Sequence, residues 1–342
     1  MNVSVIVTCF NYERFIVEAL ESALAQSHPP FEIIVMNDGS TDRSAELVQE
    51  HFGSEARVKL VTTPNQGQLA AFYEGLEHAT GEVVALLDAD DRWSSGYLQR
   101  VVQCLAKNPT VDFVMTNLQF FGSRQGRWRE PAGDIDHGIT SAFMSLTDST
   151  PHWLGVATSG LALRRRHMEA LRMPAEFFPA WRTCADVCLI WGSSIVGGHK
   201  YFINDTLVDY RVHENNNWHA GGWSPVAGFK DQVRRQRLLN FFREKAFGSA
   251  RPHVSLLHFE FKSRPRPTLK SLVAYLRMIP RTDGGLGASL QAALSLSKHY
   301  LRGPASWPME RVAEFRQEGG WANIFARKAA MRATGSTAER FR

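Results

Sequence analysis

Residues 3 to 8 (Val-Ser-Val-Ile-Val-Thr) are rich in β-branched side chains and almost continuously apolar, the pattern of a strand covered on both faces. Between Glu13 and Gln26 the apolar positions fall at Phe15, Ile16, Ala19, Leu20, Ala23 and Leu24, which predicts a crossover helix between parallel strands. The alternation then repeats. Strand-like runs at 32–36, 57–62 and 82–87 are separated by helical patterns at 42–52 and 67–79. Such alternation predicts a doubly wound, mostly parallel α/β sheet flanked by helices. Further on, the pattern predicts a helix over 96–107, a strand over 112–117, a strand over 154–164 crossing beneath the strand ends, a helix over 185–196 and a strand over 200–204. Beyond Pro225 it is helical, with Phe229, Val233, Leu238, Phe241, Phe242 and Ala246 expected on one side of the first segment. No internal repeat or low-complexity tract interrupts it.

At 342 residues the chain is longer than one hydrophobic core usually serves, so a body over 1–224 and a helical extension over 225–342 are expected. Charge marks the same division. Residues 1–224 hold 17 Lys+Arg against 26 Asp+Glu, and residues 225–342 hold 22 against 8. A basic tail suits nucleic acid, anionic lipid headgroups or an acidic partner, and charge alone does not choose among them. A hydrophobic share of 44% and a charged share of 21% exclude general disorder. No run of 18 or more uncharged apolar residues occurs, so no ordinary transmembrane helix is expected. The chain enters its first strand at Val3 without a signal-like segment, from which a cytoplasmic location is expected. Cys9, Cys104, Cys184 and Cys188 have no metal-site spacing and read as reduced packing residues.

The candidate chemistry lies where the strands end. The first runs into Thr8-Cys9-Phe10-Asn11, the second into Asn37-Asp38-Gly39-Ser40-Thr41-Asp42, the third into Pro64-Asn65-Gln66-Gly67 and the fourth into Asp88-Ala89-Asp90-Asp91. In open α/β sheets, ligands bind outside the carboxyl ends of the strands, so four separated segments are expected to form one site. Carboxylates as close as Asp88, Asp90 and Asp91 repel one another, and a bound cation, a helix N-terminus or water must relieve them. Hard oxygen ligands with open positions suit Mg²⁺ or Mn²⁺ bridging to a diphosphate, although an acidic turn capping the next helix has the same composition. Ser40, Thr41 and Asp42 read as ordinary helix capping, whereas Asp38, one residue past a buried strand, is placed to accept hydrogen bonds from a nucleoside.

In this order and spacing, Val-Ser-Val-Ile-Val-Thr-Cys-Phe-Asn-Tyr, Asn-Asp-Gly-Ser-Thr-Asp, Asn-Gln-Gly-Gln and Leu-Leu-Asp-Ala-Asp-Asp-Arg-Trp resemble the family 2 glycosyltransferases with the GT-A fold. The resemblance continues over about the first 220 residues. It implies a nucleotide-diphosphate-sugar donor bound by 1–110, with an acceptor half over 111–224. Thr8, Phe10, Asn11, Asp38, Gln66, Gly67 and Asp88 would surround the donor; Asp90, Asp91 and His213 would serve Mn²⁺ or Mg²⁺. Asp186 falls where the family has its catalytic base, Thr158 to Arg165 match the acceptor-side strand, and Tyr210-Arg211-Val212-His213 with Asn215, Asn216, Asn217 and Trp218 resemble the C-terminal motif. The chain departs from the pattern at Asn37, where an Asp is usual, at Phe72 and Tyr73, and at Ala185, where a Glu is frequent.

The implied reaction is a single displacement with inversion at the anomeric carbon, Asp186 removing the acceptor proton and the cation neutralising the leaving diphosphate. The acceptor is a glycan, a lipid-linked glycan or a protein, with no nucleic-acid partner expected. A nucleotidyltransferase that makes sugar nucleotides would need a Gly-rich loop after the first strand, and Cys9-Phe10-Asn11-Tyr12 is none; a dinucleotide oxidoreductase lacks its G-x-G-x-x-G there. A non-catalytic sugar-nucleotide module is the third alternative, and Asp90, Asp186 and His213 argue against it. In the tail, Arg264, Arg266, Lys270, Arg277, Arg281, Lys298 and Arg302 alternate with Leu269, Leu272, Val273, Leu276 and Ile279. Two expectations fit: a basic amphipathic helix lying on the inner face of the cytoplasmic membrane, or a helical cap packed on the body.

Overall fold

The structure is a computed structural model that describes residues 1–129, 133–141, 154–214, 225–248, 251–263 and 267–302. Strands β1 (Val3–Cys9), β2 (Glu32–Asn37), β3 (Val58–Thr62) and β4 (Val83–Asp88) run parallel, linked by α1 (Ile16–Leu24), α2 (Ser44–Phe52) and α3 (Gln68–His78). Their spatial order is β3-β2-β1-β4, so the winding reverses between β1 and β4 and opens a crevice at their carboxyl ends. Val5, Ile6, Val7, Ile33, Ile34, Val35, Val84, Leu86 and Leu87 are fully buried, as continuous apolar runs covered on both faces require. Helix α3 packs close to the sheet because Gly75 has no side chain; a Cβ there would stand 2.6 Å from Ile6 Cγ2.

The sheet continues with β5 (Arg92–Trp93), β6 (Phe113–Gly122), β7 (Gly126–Arg127), β8 (Ile135–Ile139), β9 (Leu161–Arg164) and β10 (His199–Val212). The path runs β4-β9-β6-β10-β5, with β9 antiparallel to both neighbours and β10 parallel to β6. Helices α4 (Tyr97–Lys107), α5 (Arg165–Ala170) and α6 (Asp186–Ile195) complete the body, and α7 (Pro225–Phe247), α8 (Val254–Lys262), α9 (Leu269–Met278) and α10 (Leu286–Arg302) follow. The mostly parallel sheet flanked by helices, followed by a helical region, is the architecture the alternation predicts. The described residues fall in two compact units: Met1–His137 with Trp153–Ser193 and Gly198–Arg234, and Gly138–His152 with Ser194–Gly197 and Arg235–Arg342.

Several expectations need correction. The strand expected over 154–164 is confined to Leu161–Arg164 and follows a 3-10 turn at Thr158–Gly160 whose side chains serve the site. The strand expected over 200–204 does not stop there, and the polar segment up to Val212 continues it as one 14-residue strand. Two register shifts against β6, between Ile203 and Val208, absorb its irregular pattern. In α7, Leu238 and Phe242 are buried while Phe229 and Val233 are 71% and 52% exposed, because nine residues along a helix place Phe229 and Leu238 on opposite sides. The tail over 265–302 is two helices, α9 and α10, separated by a 3-10 turn at Ile279–Arg281 and by Gly284 and Gly285. Of the apolar positions named there, Leu272 and Ile279 are buried together with Tyr275, and Leu269 and Val273 are exposed. Arg264, Arg266 and Asn215 to Trp218 lie outside the described residues. The four cysteines are free, and burial pushes the Cys9 thiol up to about 12, which keeps it protonated and unreactive.

Candidate active site

Strand pairing places Thr8 at the end of β1 opposite Asp88 at the end of β4, and the Thr8 hydroxyl donates to Asp88 Oδ1 at 2.8 Å. The turn that follows is fastened from below. The Ser159 hydroxyl accepts the amide of Asp88 at 3.1 Å and donates to Asp91 Oδ2 at 2.6 Å. The other oxygen of Asp91 accepts the Arg211 amide at 2.8 Å. Asp91, grouped with Asp90 and His213 by the sequence, is 1% exposed, and each of its oxygens accepts a hydrogen bond from the protein, so its carboxylate fastens the turn. Desolvation, then Asp90 and Asp88, push the Asp91 carboxyl well above the ordinary carboxylate range.

Asp90 lies on the other side of the turn. Its Oδ2 is 3.0 Å from His213 Nε2, and its carboxylate receives the Tyr12 hydroxyl. Phe15 packs against the His213 ring with centroids 4.9 Å apart. Arg211 donates from Nε to the Asp90 carbonyl at 2.8 Å and to the carboxylate of Glu18, and its guanidinium stacks on Phe15 and Phe121. Arg92 joins it, donating to Glu18 at 2.6 Å and to Asp209 at 2.7 Å. Burial raises the Glu18 carboxyl, but the hydrogen bonds from Arg92 and Arg211 outweigh it and leave it below its ordinary value. The arginines are therefore engaged behind the turn, and the carboxylates in front of it are left to repel one another. Desolvation and the charge of Asp90 push Asp88 up to about 7, with Asp186 adding to the effect and the Thr8 hydroxyl opposing it.

On the β2 side, both oxygens of Asp38 hold backbone: Oδ1 accepts the Gln66 amide at 2.7 Å and Oδ2 the Gly67 amide at 2.8 Å. Gly67 has φ of +96°, and a Cβ on it would stand 2.4 Å from Arg182 Cα, so only glycine lets the two loops touch. The exposed Gln66 side chain donates to Glu74 at 2.9 Å. Asn11, at a φ of +59°, accepts the Thr41 amide through Oδ1 at 2.8 Å and ties the end of β1 to the turn after β2. Phe10, 44% exposed, is at the rim. Asp42, just before the N-cap Arg43 of α2, accepts both the amide and the hydroxyl of Ser44, whereas Ser40 and Thr41, also expected to cap, bond to Asn11.

Asp186 is the first residue of α6, and its charge is among the lesser causes that raise Asp88. Between them stands Gln68, present in the Asn-Gln-Gly-Gln motif but given no role by the sequence reading. Ser159, Tyr12, Arg92 and Arg211 stand within the motifs but were likewise given no role, because their roles depend on contacts 68 to 193 residues away in the chain. Among the described residues no group of three or more His, Cys, Asp or Glu side chains forms a metal centre by itself. Asp88 and Asp90 offer hard oxygen donors with the His213 imidazole beside Asp90, the donor types that a divalent cation would take.

The mostly parallel sheet with its winding reversal and its antiparallel strand β9 has the GT-A fold. The chain belongs to the family 2 glycosyltransferases: the Glycosyl transferase family 2 profile matches residues 4–171, and TuaG of Bacillus subtilis, whose name assigns it to teichuronic acid biosynthesis, is 35% identical over 64% of this chain and 83% of its own length. An uncharacterized glycosyltransferase of Nostoc is also 35% identical, over 64% of this chain and 66% of that protein. The chain spans less than half the length of the next two curated relatives. The crystal structure of Staphylococcus aureus TarS with UDP covers 89% of this chain and 92% of its own at 16% identity and a TM-score of 0.50, a likeness of fold.

Proposed function

We propose that the protein transfers a sugar from a nucleotide-diphosphate-sugar, with UDP-sugars as the default donors, to an acceptor hydroxyl with inversion. The observation that supports this best is the Gln68 carboxamide, which joins Asp88 at the end of β4 to the amide of Ala185, the residue before Asp186 at the start of α6. When bound, Mn²⁺ or Mg²⁺ supplies Lewis-acid neutralisation of the diphosphate, and Asp88 and Asp90 with His213 are the residues that would hold it. Thr8 and Gln68 orient Asp88, each by a hydrogen bond to Oδ1. Phe10 offers an exposed ring for the base, and Asp38 shapes the loop beside it. Asp186 takes the proton of the attacking hydroxyl. TarS, which shares the fold, is known with UDP, and the name of TuaG points to a cell-surface polysaccharide acceptor. A panel of nucleotide-sugars assayed for nucleoside diphosphate release, with and without Mn²⁺, is expected to select a UDP-sugar in a metal-dependent manner. Equal release without metal, or release from no nucleotide-sugar, refutes the reading.

A lipid-linked acceptor places the reaction at a membrane. No helix among the described residues is long and apolar enough to cross one. The helical unit nevertheless carries Leu286, Leu290, Leu294 and Leu301 on one side of α10, exposed by 57–79%, with exposed Lys298 bordering them; on α9, exposed Leu269 and Val273 accompany Lys270 and Arg277. We assign these faces to the headgroup region of an anionic bilayer, where each nearby Lys or Arg contributes about 1 kcal/mol. The full-length protein is expected to float with anionic liposomes at low salt, and a Leu290→Glu, Leu294→Glu variant to remain behind. Equal flotation of both, or of neither, overturns the assignment.

A further inference from the structure

We infer that Gln68 is a positioning residue that holds the donor-side carboxylate and the base-bearing helix in one frame. The inference rests on the reading of Asp186 as the base. The Gln68 carboxamide is fully employed: Nε2 donates to Asp88 Oδ1 at 2.9 Å and to Thr158 Oγ1 at 3.3 Å, while Oε1 accepts the amide of Ala185, the residue before Asp186, at 2.9 Å. Its orientation follows from its partners, since the carboxylate requires the NH₂ end and a backbone N–H requires the oxygen. No other uncharged side chain of this reach provides donor and acceptor at once. Glutamate would set a further carboxyl group against Asp88, and a hydrocarbon would supply neither the donor for Asp88 nor the acceptor for the Ala185 amide.

The backbone around Gln68 reinforces the link. Gly67, the N-cap of α3, makes no side-chain cap, and the amides of Gln68 and Leu69 donate instead to the carbonyls of Arg182 (2.9 Å) and Trp181 (3.3 Å). Arg234 secures the same segment from its far side, its guanidinium 4.4 Å over the Trp181 ring and its Nη1 donating to the Ala180 carbonyl at 3.2 Å. The segment before Asp186 is thus fixed to the start of α3, which Asp38 in turn holds through Gln66 and Gly67. Displacing a reacting group by about 1 Å costs on the order of 100-fold in rate, so a single carboxamide spanning this gap has a large effect available to it.

The test is a double-mutant cycle. Gln68→Met keeps the length of the side chain and removes its hydrogen bonds. With the UDP-sugar selected by the donor panel, kcat is expected to fall at least 10-fold, and Kd for UDP with Mn²⁺, measured by calorimetry, to rise by a smaller factor, since Thr8 still holds Asp88 Oδ1. In an Asp186→Asn background the same substitution is expected to cost under 3-fold, because the group it positions is already gone. Gln68→Glu, which retains an acceptor for the Ala185 amide, is expected to keep more of kcat than Gln68→Met and to weaken UDP binding through repulsion with Asp88. Equal losses from Gln68→Met in both backgrounds, unchanged kcat, or identical behaviour of the Met and Glu variants overturns the inference. Near-normal turnover of Asp186→Asn alone instead overturns the base assignment. Thermal melting of each variant identifies one that fails to fold, and the cycle is then closed with the other substitution.

Discussion

Asp90→Ala is expected to abolish Mn²⁺-dependent binding of the donor while leaving the protein folded. Asp90 is 6% exposed, beside His213 at 3.0 Å and under the Tyr12 hydroxyl, and it stands among carboxylates that cannot all be ionised cheaply. Its charge is the second cause, after burial, of the upward shifts of both Asp88 and Asp91. Removing it leaves a diphosphate without its cation bridge, so calorimetry with UDP and Mn²⁺ is expected to show no saturable binding. Binding as tight as that of the wild type would remove Asp90 from the metal assignment. The same substitution has a second, opposite signature. A carboxyl raised from about 4 when unfolded to about 7 when folded binds its proton more tightly in the native state, so its stabilising contribution is complete below pH 4 and is lost as pH rises through 7. The metal-free wild type should therefore lose stability across that window, and Asp90→Ala should lose less, which thermal melts at pH 5 and pH 8 can read.

Asp186→Asn is expected to lower turnover by about 100-fold or more, the usual scale for removing a general base, with donor affinity retained. The amide has the shape of the acid, and its oxygen can still accept the Val187 amide that Asp186 Oδ1 accepts at 3.0 Å. What it lacks is a basic site for the proton of the acceptor hydroxyl. The expected pattern is an unchanged Kd for UDP with Mn²⁺ and a fall in both kcat and kcat/KM. Near-normal turnover would exclude the role.

Much of this architecture can be read from periodicity. The runs that became β1, β2 and β4 are buried on both faces and hence uninterrupted in apolar character, and the polar clusters after them mark the crevice because the winding reverses there. Asp88 and Asp90 were legible for that reason. The role of Asp91 was not, since a carboxylate facing Ser159 and one facing solvent look alike in a run of three acids, and the partner is 68 residues away. Gln68 was hidden similarly: a glutamine after a glycine looks like the start of a helix until its partners at Asp88 and Ala185 are known. The last helices left two expectations open because an apolar stripe states that one face is covered, not by what. Leu272 and Ile279 are covered within their own unit, and Leu286, Leu290 and Leu294 are not.

The antiparallel strand β9 has a consequence for how the chain is made. Four residues long, it closes β4 at Val83–Ala85 on one side and β6 at Phe113–Met115 on the other. Every donor-side residue after β1, β2, β3 and β4 has left the ribosome roughly seventy residues before β9 does, an interval of about 4–14 s at ordinary rates of synthesis. Throughout it β4, among the most apolar strands of the sheet, presents an unpaired edge that other nascent chains can join. The four parallel strands and the turns after them are encoded before Leu161, but β4 is closed on its second side only when Leu161–Arg164 arrive, so a fragment ending before them is a candidate for aggregation.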